Sequence, residues 1–111
     1  MAYDQELARR IREVLVDAPD VVEKQMFGGL AFLVAGHMAV GASGRGGLML
    51  RCDPDDTDDL VAHAHAHPFE MRGRVMRGWL RVDAEGAATD EELQSWVSPA
   101  VEYARSLPAR P

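Results

Sequence analysis

A chain of 111 residues, 47% apolar and 27% charged, has the length and balance of one globular domain with a single core, which excludes a second domain and wholesale disorder. The formal net charge of −6 and a pI near 5.1 weigh against bulk affinity for nucleic acid, which depends on Lys and Arg neutralising phosphates. No apolar run approaches the roughly 20 residues of a membrane helix, and the first residues lack the basic and apolar regions of a secretory signal.

Residues 4–17 repeat Leu7, Ile11, Val14 and Leu15 at helical spacing opposite Glu6, Arg9, Arg10, Arg12 and Glu13. That pattern predicts an amphipathic helix, closed by Asp17-Ala-Pro-Asp20. Residues 21–27 read as a first strand of imperfect alternation, Gly28-Gly29 as a bend or bulge, and residues 30–34 as a second strand. Ala35-Gly36-His37 joins it to a strand over residues 38–42, a short hairpin in which Gly36 takes positive φ. Ser43-Gly-Arg-Gly-Gly47 is a loop before a further strand over residues 48–52.

Pro54 and the aspartates after it mark a helix start, with acidic groups favoured near the N-terminal end. This helix runs to about residue 65 on a modest apolar face of Leu60, Val61 and Ala64, and Pro68 stops it. Residues 69–71 and 78–83 are two more strands on either side of Arg72-Gly-Arg74. Thr89 and Glu92 form a capping box, and Leu93, Trp96, Val97, Ala100, Val101 and Ala104 make one stripe of a final helix. Pro99 either kinks that helix or divides it, with Ser98 capping the second part. The order α, three or four strands, α, two strands, α describes a two-layer α+β fold, helices covering one antiparallel sheet of about five to six strands. The single domain spans residues 1–111, with 107–111 as a flexible tail.

Reaction chemistry is sparse. His63, His65 and His67 lie two apart, and on a helix such residues point about 200° away from one another, so they read as a helix end and not as metal ligands. Asp53, Asp55, Asp56, Asp58 and Asp59 lack the central glycine and the closing glutamate of a calcium loop and read as a solvated helix start. Cys52, the single cysteine, can close no internal disulfide, which fits a reducing compartment, and reads as a small core or edge residue. Alternation turns Glu70 away from Phe69 and Met71 toward solvent. No nucleophile, base and orienter can be assembled around Ser43, Ser95, Ser98 or Ser106. The expectation is a cytoplasmic, non-enzymatic protein without cofactor or metal.

Two segments could bind. Ser43, Arg45, Gly46 and Gly47 form either a plain hairpin loop or an anion cradle with Arg45 as clamp, although the segment precedes a strand and lacks the P-loop lysine. Arg72, Arg74, Arg77 and Arg81 fall within ten residues beside the lone carboxylate of Glu70, with Trp79 as a stacking surface. Either these arginines meet an acidic partner, or they brace the acidic helices through surface ion pairs. Trp79 and Trp96 are both assigned to the core.

Met26-Phe-Gly-Gly29, Phe32, Gly36, Met38-Ala-Val-Gly41, residues 47–51, Arg74-Val-Met76, Gly78-Trp79 and Ala104-Arg-Ser-Leu-Pro108 occur in order over almost the whole chain. Together they resemble the TfoX N-terminal domain family. The resemblance implies a two-layer α+β fold similar to type III secretion chaperones and an association with the TfoX/Sxy regulators of bacterial competence genes, which act alongside the cyclic-AMP receptor protein. It implies no enzyme activity and supplies no catalytic residues. The chain ends near Pro111, so the C-terminal domain of the full-length regulators is expected to be absent.

The leading expectation is a regulatory module that contacts a protein with an acidic surface. A small anionic ligand or nucleotide held by Arg45, Arg74 and Trp79, in a binding protein or an enzyme, is the alternative. Weak direct nucleic-acid binding comes third. Uncovered strand edges also allow a homodimer.

Overall fold

Asp4 opens the first helix, α1 (Gln5–Val14), by accepting the Leu7 amide on its carboxylate at 3.1 Å, and the helix buries Leu7, Ala8 and Ile11. It stops three residues short of the expected end. The Val16 amide turns to Glu13 and the Ala18 amide to Leu15, a tightening that redirects the chain into β1 (Val21–Met26). The computed structural model describes residues 3–18, 20–26 and 28–108. Phe27 of the Met-Phe-Gly-Gly element, and residues 109–111 of the expected tail, lie outside them.

Tight turns then build most of the sheet. β1 pairs with β2 (Gly29–Val34), β2 with β3 (His37–Ala42), and β3 with β4 (Leu48–Arg51), all antiparallel. Ala35 and Gly36 join β2 to β3 with φ of 52° and 84°, the backbone of a two-residue type I′ turn. His37, expected in the turn, is the first residue of β3. Gly29 has a different reason to be glycine. A Cβ there would lie 2.3 Å from the Ala42 carbonyl oxygen, so only a bare Cα lets the two strands close.

The segment after β4 departs from expectation. Pro54–Asp56 form a 3-10 turn and α2 (Thr57–Leu60) lasts one turn, in place of a helix to residue 65. Four acidic side chains and only two half-buried apolar residues, Leu60 and Val61, give it too little core contact to propagate. The chain therefore re-enters the sheet early, as β5 (Ala66–Met71). Pro68, expected to stop a helix, sits inside β5, where it is tolerated because β5 is an edge strand and its outer side needs no donor. Arg72 and Gly73, with φ of 56° and 78°, make a second two-residue turn into β6 (Arg74–Val82), which begins four residues before the expected strand.

Six strands result, in the order β1-β2-β3-β4-β6-β5. β6 returns to pair antiparallel with β4, so the whole sheet is antiparallel. After a 3-10 turn at Ala84–Ala87, Thr89 and Glu92 form the expected capping box and α3 (Asp90–Ser106) runs as one helix through Pro99. Leu93, Val97, Ala100, Val101 and Ala104 face the sheet, where they join Phe32, Val34, Val40, Leu48, Leu50, Leu80 and Val82 in one core. α1 and α3 both lie on this face. The fold is the α+β arrangement expected, and among the described residues the opposite face of the sheet carries no helix. No helix among the described residues is long and apolar enough to cross a membrane.

Candidate interaction surface

The arginine segment owes its shape to Gly78. Up to Pro68 and Leu80 the β5–β6 pairing is regular, but between Pro68 and Glu70 the register shifts, and Gly78, at φ 89°, bends β6. Three bonds fix the bend. The Gly78 amide donates to the buried Thr57 hydroxyl at 2.9 Å, its carbonyl accepts the Cys52 amide at 2.8 Å, and Arg77 reaches the Pro54 carbonyl at 3.0 Å. The hairpin beyond it extends past the end of β4.

That hairpin tip is exposed from Arg72 through Arg77. Val75 and Met76 keep 53% and 38% of their surface in solvent, flanked by Arg74 and Arg77. Among the described residues the Arg72 and Arg74 guanidiniums make no ion pair or hydrogen bond, and Arg77 touches only a carbonyl. The acidic helices are braced by other residues. Arg12 pairs with Glu23 at 2.6 Å, Arg105 with Asp20 at 2.8 Å, Arg10 with Asp90 at 3.4 Å, and Arg9 with both Glu6 and Glu13. These contacts hold the Glu6, Asp20 and Glu23 carboxyls below their usual range, chiefly by side-chain hydrogen bonds from arginine.

The four arginines do not form one patch. Arg81 lies past the bend, half-buried in the helix-free face between Met49 and His67 in the strand register. Trp79 is there too, half-buried and outside the core to which the sequence assigned it. By alternation with Leu80 it points away from the helices, tilted against Phe69 at 6.4 Å, with the Arg51 guanidinium 5.1 Å above its ring. Trp96 is half-buried at the core's margin and donates its indole N–H to the Gly86 carbonyl at 3.2 Å.

The loop of Ser43, Arg45, Gly46 and Gly47 is organised as a hairpin connection. The Ser43 amide bonds Gly47, the Gly46 amide bonds the Ser43 carbonyl, and the Arg45 amide bonds the Ser43 hydroxyl, so these donors face inward on the loop. Gly47 abuts Val82 and Asp83, at the far end of β6 from Arg74. Arg45 and Arg74 are therefore not brought together with Trp79.

The histidines separate as well. His63 meets Trp96 edge-on at 5.3 Å, His65 packs its Cβ against Gly86, and His67 Nε2 lies 2.8 Å from Asp83 Oδ2. That bond lowers the Asp83 pKa from its ordinary 3.8. The reason they diverge is a turn followed by a strand, not the helix expected there. Asp53 accepts the Asp55 amide at 2.9 Å and so caps the 3-10 turn. Burial, more than the nearby Asp56 and Asp53, pushes the Cys52 thiol above its ordinary 9.0, which leaves it a poor nucleophile. Glu70 is exposed, as alternation predicts.

One concavity has no counterpart in the sequence reading, a cleft of about 660 Å³ between α3 and the segment that carries α2. Its only local signal is the pairing of Trp96 with Tyr103 two helical turns along the same stripe of α3.

With this geometry in place, two comparisons bear on the chain. The family model for the TfoX N-terminal domain matches residues 13–104, most of its length. A comparison with curated proteins finds no match.

Proposed function

The chain belongs to the TfoX N-terminal domain family, and from that premise we propose that it is a non-catalytic regulatory module of the cytoplasm that docks an acidic protein through the tip of the β5–β6 hairpin. The observation that carries the reading is the tip itself, where Arg72 and Arg74 have no ion-pair or hydrogen-bond partner among the described residues and Val75 and Met76 are exposed between Arg74 and Arg77. Exposed arginine offers two parallel N–H donors to a carboxylate, and adjacent apolar surface supplies the desolvation that makes such a pair worth more than it is in open water. A cationic tip on a molecule of net charge −6 also orients an acidic partner, because the rest of the surface repels it. The family's connection with competence regulators supports placing the partner in transcriptional control.

The test is capture from native lysate, comparing the wild-type chain with the triple variant Arg72→Glu, Arg74→Glu, Arg77→Glu, each run with and without nuclease. The expected result is an acidic protein retained by wild type at low salt, lost with the variant, and indifferent to nuclease. Retention that survives charge reversal removes the hairpin from the role, and retention that vanishes with nuclease replaces the protein partner with a nucleic acid.

A further inference from the structure

We infer that the cleft between α3 and residues 53–65 is a binding site for a small organic cation with a flat apolar body. The cleft exists because of the shortness of α2. α1 and α3 lie chiefly against β2, β3 and β4, whereas β6 is met chiefly by the 3-10 turn at Pro54–Asp56 and the one-turn α2. What remains is about 660 Å³, within the range of roughly 300–1,000 Å³ that small-molecule sites occupy.

Its floor is the buried margin of the core, Leu50 and Leu80, which are 2% and 1% exposed. One wall is α3, through Trp96, Ala100 and Tyr103, and Leu60 and Ala64 stand opposite. His63 lies across the mouth with its ring edge-on to Trp96, at an interplanar angle of 73°. An apolar lining bordered by Trp96, Tyr103 and His63 suits a planar hydrocarbon body, whose burial supplies most of the binding.

The charge of the ligand follows from the rim. Asp53, Asp56 and Glu92 line the cleft, and the one lining residue of permanent positive charge, Arg51, places its guanidinium over Trp79 on the other side of the sheet. Asp53 and Glu92 each engage one oxygen in a cap, whereas the Asp56 carboxylate makes no cap bond. The Tyr103 phenol makes no hydrogen bond among the described residues and adds an oxygen acceptor on the opposite wall. An ammonium or amidinium group entering here meets acceptors and negative potential, and a carboxylate or phosphate is repelled. This site shares no residue with the hairpin tip, so it stands whether or not the partner proposed above is found.

Three probes of one shape separate the terms: biphenyl-4-methylamine, biphenyl-4-methanol and biphenyl-4-carboxylate, titrated into the whole chain and followed through the two indole N–H resonances. Trp96 lines the cleft and Trp79 does not, so the first reports binding and the second is the internal control. The expected result is a saturable shift at Trp96 alone, with the amine tightest and the carboxylate weakest. Ser95, exposed at the mouth of the cleft, gives a blocking variant that spares the core: Ser95→Phe should abolish the shift. Asp56→Asn should weaken the amine by about threefold, the scale of an exposed ion pair, and leave the alcohol unchanged. A silent Trp96 at millimolar amine, equal movement of Trp79, binding that survives Ser95→Phe, or equal affinity for all three probes would each overturn the assignment.

Discussion

Replacing Thr57 by valine tests the bond that shapes the arginine hairpin. Thr57 is the only fully buried polar residue among the described residues, at 3% exposure, and its hydroxyl accepts the Gly78 amide at 2.9 Å. Valine keeps the shape and adds a methyl group, so a reckoning of apolar burial alone makes the change neutral or favourable. The hydrogen bond decides otherwise. Gly78 is itself buried, and without the hydroxyl its amide has no acceptor, a loss of about 1–3 kcal/mol. The hydroxyl's other contacts, a 3.5 Å bond to the Asp53 carbonyl and a 3.7 Å contact with the Cys52 sulfur, are long and contribute little. The expected cost of Thr57→Val is therefore about 2 kcal/mol, a fall in Tm of about 8 °C for a domain of this size. Thr57→Ser keeps the acceptor and loses only a buried methyl, about 1 kcal/mol. Urea unfolding at constant m gives both values, and the Gly78 amide proton should exchange faster in the valine variant alone. A valine variant as stable as wild type, or more stable than the serine variant, refutes the view that this bond holds the bend.

Ala35→Gly should raise stability by about 0.5–1 kcal/mol in urea unfolding, because Ala35 sits at φ 52°, where a Cβ is strained and glycine is not. A decrease would mean that the β2–β3 turn is not of the type described. Stability should be flat above the ordinary carboxyl values of 3.8 and 4.5 and fall as the pH drops through the lower folded values of Asp20, Glu23 and Asp83. The sign follows from linkage: below those values the unfolded chain has already bound protons that the folded chain must take up at the expense of the Arg105, Arg12 and His67 bonds. Urea midpoints between pH 6 and 2 should show the fall, reduced in Glu23→Gln, and an identical acid limb in that variant would count against the pairing with Arg12.

Local chemistry carried the parts of the fold that were legible in the chain. The Thr89 and Glu92 box, the Leu7 to Val14 part of the first stripe and the Ala35-Gly36 turn each combine a few neighbouring residues into one preferred backbone; the box forms as expected, while the helix ends three residues early and the turn gives up His37 to β3. Three features were hidden because distant residues decide them. The early start of β5 depends on its place at the edge, which makes Pro68 harmless; from sequence alone the same proline reads as a helix stop. The extension of β6 to Arg74 shows no apolar alternation, since its tip runs past the end of β4 and pairs only with β5, leaving both its faces exposed. Trp79 looked like core because size and hydrophobicity do not say which side of a sheet the helices will cover. At the candidate surface, clustering in sequence located Arg72, Arg74 and Arg77, but the bend at Gly78 that separates them from Arg81 depends on Thr57, twenty-one residues away. The cleft draws its walls from several separate stretches of chain and left almost no trace in any one of them.

The two outer strands of the sheet also bear on how the molecule behaves in a crowded solution. An open antiparallel sheet has a free ladder at each end, and a neighbour that docks there can seed filaments. Here β5 interrupts its own ladder with Pro68 and a register shift, and β1 places Glu23 and Lys24 in mid-strand, one toward each face of the sheet. A copy laid alongside either strand would lose a donor at the proline or have to solvate two charges within the new seam. Growth by strand addition is thus obstructed at both ends, so a sheet with two open edges need not recruit copies of itself into an aggregate.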